Sequence, residues 1–170
     1  GLTPGPTGFP GGLPPTDLPP ANVGPPAEVL TGWAAQVGTR VAISDVAMRA
    51  YGYAELVIAQ TTPGCRLTWT TLAAIGFVES NHGRANGAIL QPDGLAAPHI
   101  IGLPLDGAGG RQRIMDTDGG RLDGDIVYDR AVGPMQFIPT TWQQDGVDAD
   151  NDGVKNPHDL DDAALAAGNY

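Results

Sequence analysis

The chain has 170 residues and a hydrophobic fraction of 41%, enough for one globular domain and a tail. Its formal net charge of −10 excludes a surface built to attract nucleic acid or anionic membranes. No apolar run approaches the roughly 18 residues of a membrane helix, the longest being 72–78, and the first residues lack the charged and apolar regions of a signal peptide.

Residues 1–26 hold 9 of the 16 prolines and few large apolar side chains, which predicts an extended, disordered linker ahead of a domain over 27–170. A short helix is expected over 28–37. Ser44 is a good N-cap for a second helix running to about Ala59, before Pro63-Gly64. A third should run from near Thr68 to Glu79 or Ser80, with Gly83 as its terminator. Residues 84–130 are rich in Gly, Asp and Pro without a sustained period, so long loops with one short hairpin are expected. Pro139 opens a fourth helix and Asp162 a last one. The fold class read from this pattern is mainly α with long loops, and a monomer is expected. The single cysteine, Cys65, cannot form an internal disulfide, and no nearby histidine marks it as a nucleophile.

Leu72, Ile75, Gly76 and Glu79 follow i, i+3, i+4, i+7 spacing and should share one helix face. A carboxyl beside apolar neighbours, in the last turn of a helix, is pushed toward its protonated form, as a general acid requires. The same spacing also suits a glutamate at a frayed helix end that simply reaches water. The three histidines, His82, His99 and His158, lack metal-ligand spacing. Solvent or helix-cap roles are expected for them, with the groove beside Glu79 a second place for His82.

Acidic residues concentrate in 116–129 and 145–162. In the second stretch, Asp148-Ala149-Asp150-Asn151-Asp152-Gly153-Val154-Lys155-Asn156-Pro157-His158-Asp159 has Asp at positions 1, 3 and 5 and Gly at 6. That is the pattern of an EF-hand-type calcium loop, in which alternate carboxylates converge on one hard cation. Asp148, Asp150 and Asp152 are the candidate ligands, with the Val154 carbonyl at position 7 and Asp159 at position 12. Position 12 is not Glu and position 8 is Lys155, so a single loop-pinning Ca2+ is expected, not a paired regulatory site.

Three segments in order resemble one family. Ala74-Ile75-Gly76-Phe77-Val78-Glu79-Ser80-Asn81-His82-Gly83 is similar to the Glu-Ser motif of the lytic transglycosylase superfamily. Gly133-Pro134-Met135-Gln136-Phe137-Ile138-Pro139-Thr140-Thr141-Trp142 is similar to its Gly-x-Met-Gln-x-x-Pro-x-Thr-Trp segment, and Ala167-Gly168-Asn169-Tyr170 to its Ala-x-Asn-Tyr segment. Together they resemble the membrane-bound lytic transglycosylase B branch in a secreted, actinobacterial form, over roughly 28–170.

The resemblance implies a lysozyme-like catalytic fold of the goose-type lysozyme and lytic transglycosylase kind, located outside the cytoplasm in the cell envelope. It implies cleavage of the MurNAc–GlcNAc β-1,4 bond of peptidoglycan glycan strands to leave 1,6-anhydro-MurNAc. Glu79 would serve as acid and base, Gln136 as a saccharide contact, and Asn169 and Tyr170 in the glycan groove. Without the family, Gln136 reads as a polar residue at a helix start. The resemblance points to Asp162, three residues beyond Asp159, as the closing cation ligand. It also implies that the family's domain continues past Tyr170, so that this sequence is C-terminally truncated, and that a second cysteine there would pair with Cys65.

Two other functions stay open at this point. A hydrolytic muramidase on the same fold would need a second carboxylate, which Asp116, Asp118, Asp123, Asp125 or Asp129 could supply. A calcium-stabilised wall-binding domain would need no acid, and Glu79 argues against it.

Overall fold

The computed structural model describes residues 26–170. The proline-rich segment expected as a linker therefore lies, apart from Pro26, outside the described residues. Helices account for 47% of these residues and short strands for 12%, so the content is mixed, with the helices carrying the core.

A 3-10 turn at Pro26–Leu30 leads into α1, Thr31–Val41. This helix runs four residues past the expected end. Gly38, which might have broken it, faces the Ile43 carbonyl, where an added Cβ would come within 2.5 Å. The helix stops only at Ala42, which is left-handed at φ 58°. Helix α2, Asp45–Thr61, starts as expected: Ser44 Oγ accepts from the Ala47 amide at 3.2 Å. It ends two residues before Pro63.

Helix α2 is the hub. Its residues Ala47, Met48, Tyr51, Ala54 and Ile58 recur every three or four positions and are almost completely buried. Burial of each larger side chain contributes about 1.5–3 kcal/mol. At Gly52 the backbone lies against the Trp33 ring, where a Cβ would come within 2.5 Å. Trp33 in turn meets Trp69 edge to face, with ring centroids 5.8 Å apart.

Trp69–Ser80 forms α3. Its first amide is capped from α2, the Trp69 N–H donating to Glu55 Oε1 at 2.8 Å. A carboxylate there also suits the positive end of the helix dipole. The helix ends at Ser80, as expected, but the chain turns left-handed already at Asn81 (φ 51°) and His82 (φ 59°), with Gly83 the third successive left-handed residue. Asparagine and histidine tolerate that region better than most side chains, which makes the turn feasible without glycine at its first position.

Where one hairpin was expected, there are two small antiparallel pairs. β1 (Ile89–Leu90) pairs with β2 (Ala96–Ala97), and β3 (Ile101–Pro104) pairs with β4 (Arg130–Val132) across a bulge. Strands this short have no readable alternation. α4, Pro139–Asp145, has its proline in the first turn. α5, Leu160–Asn169, begins two residues before the expected Asp162, because Asp159 is the N-cap and accepts from the Asp161 amide at 2.8 Å. α1, α3 and α5 all pack on α2.

Candidate functional site at the end of the third helix

Glu79 sits in the last turn of α3, at the boundary between core and solvent. Leu72 and Gly76 face inward, whereas Ile75 is 39% exposed, Phe77 62% and Val78 79%. The expected single apolar face is thus split: its inner edge packs on α2 and its outer edge, carrying Ile75 and Glu79, is open. Partial burial among these neighbours raises the Glu79 carboxyl above the usual carboxylate range.

The residue after it ties the two motif segments together. Ser80 is buried; its Oγ donates to the Pro134 carbonyl at 2.6 Å and accepts from the Gly83 amide at 2.8 Å. One hydroxyl therefore joins the turn after Glu79 to 133–137. Gln136 lies in that segment at φ 54°, and its Nε2 donates to the carbonyls of Gly133 (2.9 Å) and Ile100 (3.3 Å). Its amide donors hold the loop, and Oε1 remains as the group available to a ligand. Serine after the glutamate was the available signal for Ser80, but nothing in its spacing showed that it bridges 54 residues.

Two of the three histidines depart from expectation, while His99 is exposed. His82 is not at the surface; it is 6% exposed, and its Nδ1 is 2.7 Å from the Tyr51 hydroxyl. Burial and the nearby Arg84 charge lower its pKa, favouring the neutral ring. His158 is also buried and stacks on His99 with centroids 3.6 Å apart and planes within 5°. These corrections share a cause: loops whose course no periodicity predicts carry the rings inward.

Asn169 and Tyr170 are exposed at the end of α5. Gly168 beside them packs on Ile58 and Leu67, at the start of α3, whereas Glu79 is near its end. Ten residues of helix, about 15 Å, separate the two positions. The structure does not bring them together; a single ligand touching both would have to lie along α3.

In the acidic loop, Asp148, Asp150 and Asp162 bring carboxylate oxygens within 4.8 Å of one another, as do Asp150, Asp159 and Asp161. Asp150 belongs to both groups. Asp162 is fully buried and reaches back from α5 to accept from Ala149 N (2.6 Å) and Asn156 N (2.9 Å), closing the loop at both ends. Asp152 is exposed and stands outside both groups, with Oδ1 accepting from the Val154 amide at 2.8 Å; Val154 itself is exposed. Asp161 enters the second group without having been singled out in the sequence. Asp148 Oδ1 is buried without a donor among the described residues. Burial and mutual repulsion raise Asp159 to about 8, Asp161 to about 7 and Asp162 to about 6. An orphaned carboxylate oxygen amid uncompensated negative charge fits a hard divalent cation with oxygen ligands.

The aspartates of 116–129 are occupied by their own loop. Asp116 Oδ1 accepts from the amides of Asp118 and Gly119, and Asp118 from Gly120 and Leu122. Asp123 accepts from Asp125 and Arg130, while Asp125 accepts from Val127 and Tyr128 and pairs with Arg130 Nε at 2.9 Å. Asp129 is fully buried and binds both the amide and hydroxyl of Thr117. Backbone amides hold Asp116 and Asp125 below the ordinary carboxylate range.

No protein-family model matches this chain, and no curated protein or solved structure matches it either. Among the described residues, no helix is long and apolar enough to cross a membrane.

Proposed function

We propose that this chain is a peptidoglycan lytic transglycosylase of lysozyme-like type, with Glu79 as its one acid and base. The observation that carries the reading is the Ser80–Pro134 hydrogen bond. It joins the segment bearing Glu79 to the one bearing Gln136, so two motifs 54 residues apart meet at one place. The raised Glu79 carboxyl adds support, because a general acid must hold its proton near the working pH.

In this reading Glu79 protonates the leaving glycosidic oxygen of the MurNAc–GlcNAc bond. The sugar's N-acetyl group stabilises the charge that develops at C1, so no aspartate nucleophile is required. Glu79, now ionised, takes the proton of the C6 hydroxyl as that oxygen bonds to C1. The product is 1,6-anhydro-MurNAc and Glu79 is protonated again. An aligned intramolecular hydroxyl reaches effective molarities of about 10⁵ M or more, which disfavours water as the competitor. Gln136 is the candidate for a saccharide contact beside the Glu79 turn, and Asn169 and Tyr170 are candidates for contacts further along the glycan. The acidic loop binds a structural Ca2+. Such a substrate places the protein outside the cytoplasm, in the cell envelope or secreted.

Digestion of purified peptidoglycan in ¹⁸O-labelled water tests the reading. Released MurNAc ends should be lighter by one water and unlabelled, and Glu79→Gln should release none. Label at C1 would assign the chain to the hydrolases.

A further inference from the structure

A hydroxyl and a ring nitrogen that the mechanism does not use lie directly beneath the Glu79 turn. Tyr51 is 0% exposed, yet its oxygen is not idle; it meets His82 Nδ1 at 2.7 Å. To get there it crosses α3 at Gly76. A Cβ on Gly76 would collide with the Tyr51 hydroxyl oxygen and approach Cζ to 2.9 Å. A glycine inside a helix is disfavoured relative to alanine, so its presence in mid-helix calls for a local reason. Passage of the hydroxyl supplies one.

The far end of this contact is strained. Asn81 and His82 have φ of 51° and 59°, immediately after Glu79-Ser80. Non-glycine residues in the left-handed region are strained, and persist where surrounding contacts over-determine them. Four contacts do so here. His82 N donates to Gly76 O at 3.0 Å and Asn81 N to Phe77 O at 2.9 Å. The Ser80 hydroxyl binds Pro134 and Gly83. A fifth, the Tyr51–His82 bond, is the one among these that anchors the turn to the core helix α2. The Phe77 ring, 5.9 Å from the His82 ring, covers the outer side.

We propose that Tyr51, Gly76 and His82 form a positioning unit for Glu79, in which the Tyr51 hydroxyl, admitted over the helix at Gly76, holds His82 and so sets the direction of the Glu79 carboxyl. The proposal rests on the reading of Glu79 as the acid. It predicts a specific chemistry at position 82: an acceptor at the δ position and tolerance of a left-handed backbone. Asparagine offers both, since its Oδ1 occupies the same place along the side chain as histidine Nδ1. Leucine offers bulk without the acceptor.

The test uses Tyr51→Phe, His82→Asn, His82→Leu and the Tyr51→Phe/His82→Leu double variant. Circular dichroism and a thermal melt verify folding. Steady-state kinetics are run on a soluble glycan fragment, and the Glu79 carboxyl is titrated by ¹³C NMR. Tyr51→Phe and His82→Leu should each lower kcat about tenfold or more with KM within about twofold, the pattern of lost alignment. The double variant should be no slower than the slower single, because the pair acts as a unit. His82→Asn should retain most of kcat. In the two damaged variants Glu79 should titrate closer to an ordinary carboxylate. Folded Tyr51→Phe with unchanged kcat and Glu79 titration overturns the proposal, as does equal damage from His82→Asn and His82→Leu. If the wild-type protein cleaves no glycan, the functional reading falls, and the Glu79 titrations alone still decide whether the unit places that carboxyl.

Discussion

Removing calcium should make this protein's stability fall as pH rises, the reverse of usual acid denaturation. In the cation-free protein Asp162 is fully buried and its folded pKa is about 6, against an unfolded value near 3.8. A folded pKa above the unfolded one means that the native state holds a proton the unfolded chain has released. Stability is then complete below about pH 3.8 and declines as pH rises through the folded value. The difference of about two pKa units corresponds to roughly 3 kcal/mol for Asp162 alone. In a domain of this size that is a fall in Tm of roughly 6–12 °C. Asp159 and Asp161 are raised in the same direction, so the decline continues toward pH 8; the buried His158 ring, lowered to about 4, opposes it between about pH 4 and 6.5, with calcium or without. Calcium bound to the ionised carboxylates would remove the penalty, restoring about 2.7 kcal/mol at a hundredfold excess over Kd.

The assay is a series of thermal melts from pH 4.5 to 8, with excess calcium and with chelator. The two series should nearly converge at the acid end and separate with rising pH, the chelated Tm falling. Melting curves that stay parallel, or a chelated protein that gains stability with pH, would falsify the account of the acidic loop as a cation site.

Two further outcomes follow from the site. Ser80→Ala leaves the buried Pro134 carbonyl and the Gly83 amide without their shared partner, so a loss of about 1–3 kcal/mol is expected in urea unfolding, together with a fall in kcat. The raised carboxyl of Glu79 acts as an acid only while protonated, so kcat should decline as pH rises through its titration. A kcat profile flat to the alkaline side of that titration would remove Glu79 from the role of acid.

Much of the helical frame was legible in the chain. The Ser44 cap, the stop of α2 before Pro63-Gly64 and Pro139 at a helix start are local signals whose physics is complete within a few residues. What escaped was set by contacts distant in sequence. The β3–β4 pairing joins residues 26 or more apart through a loop built from aspartate–amide turns, and no period marks it. Tyr51 carried no signal in the sequence because its partner lies 31 residues away, beyond a glycine whose purpose appears only when the hydroxyl is placed over it. The acidic loop was legible as a motif. The family resemblance pointed to Asp162, which reaches it from α5; what was not legible is that Asp152 turns out toward solvent and Asp161 turns in.

The two sites are not independent, and the link runs through Gly133. Its φ is +80°, and a Cβ there would collide with the Pro157 carbonyl, so the segment carrying Pro134 lies flush against the end of the acidic loop. The same stretch is bonded on its other side, Ala96 N donating to His158 O and Leu160 N to Gly94 O, both at 2.9 Å. A displacement of 157–160 must therefore be felt at Gly133 and passed by Pro134 to Ser80 and the Glu79 turn. Chelation should then lower kcat at temperatures well below the melt, where the population unfolded is negligible. Gly133→Ala should produce a similar fall with calcium present, alongside a stability loss of about 1–3 kcal/mol or more from the strained backbone. If chelation lowers Tm while kcat at low temperature is unchanged, the loop stabilises the fold without supporting Glu79, and the Pro157–Gly133 contact is packing alone.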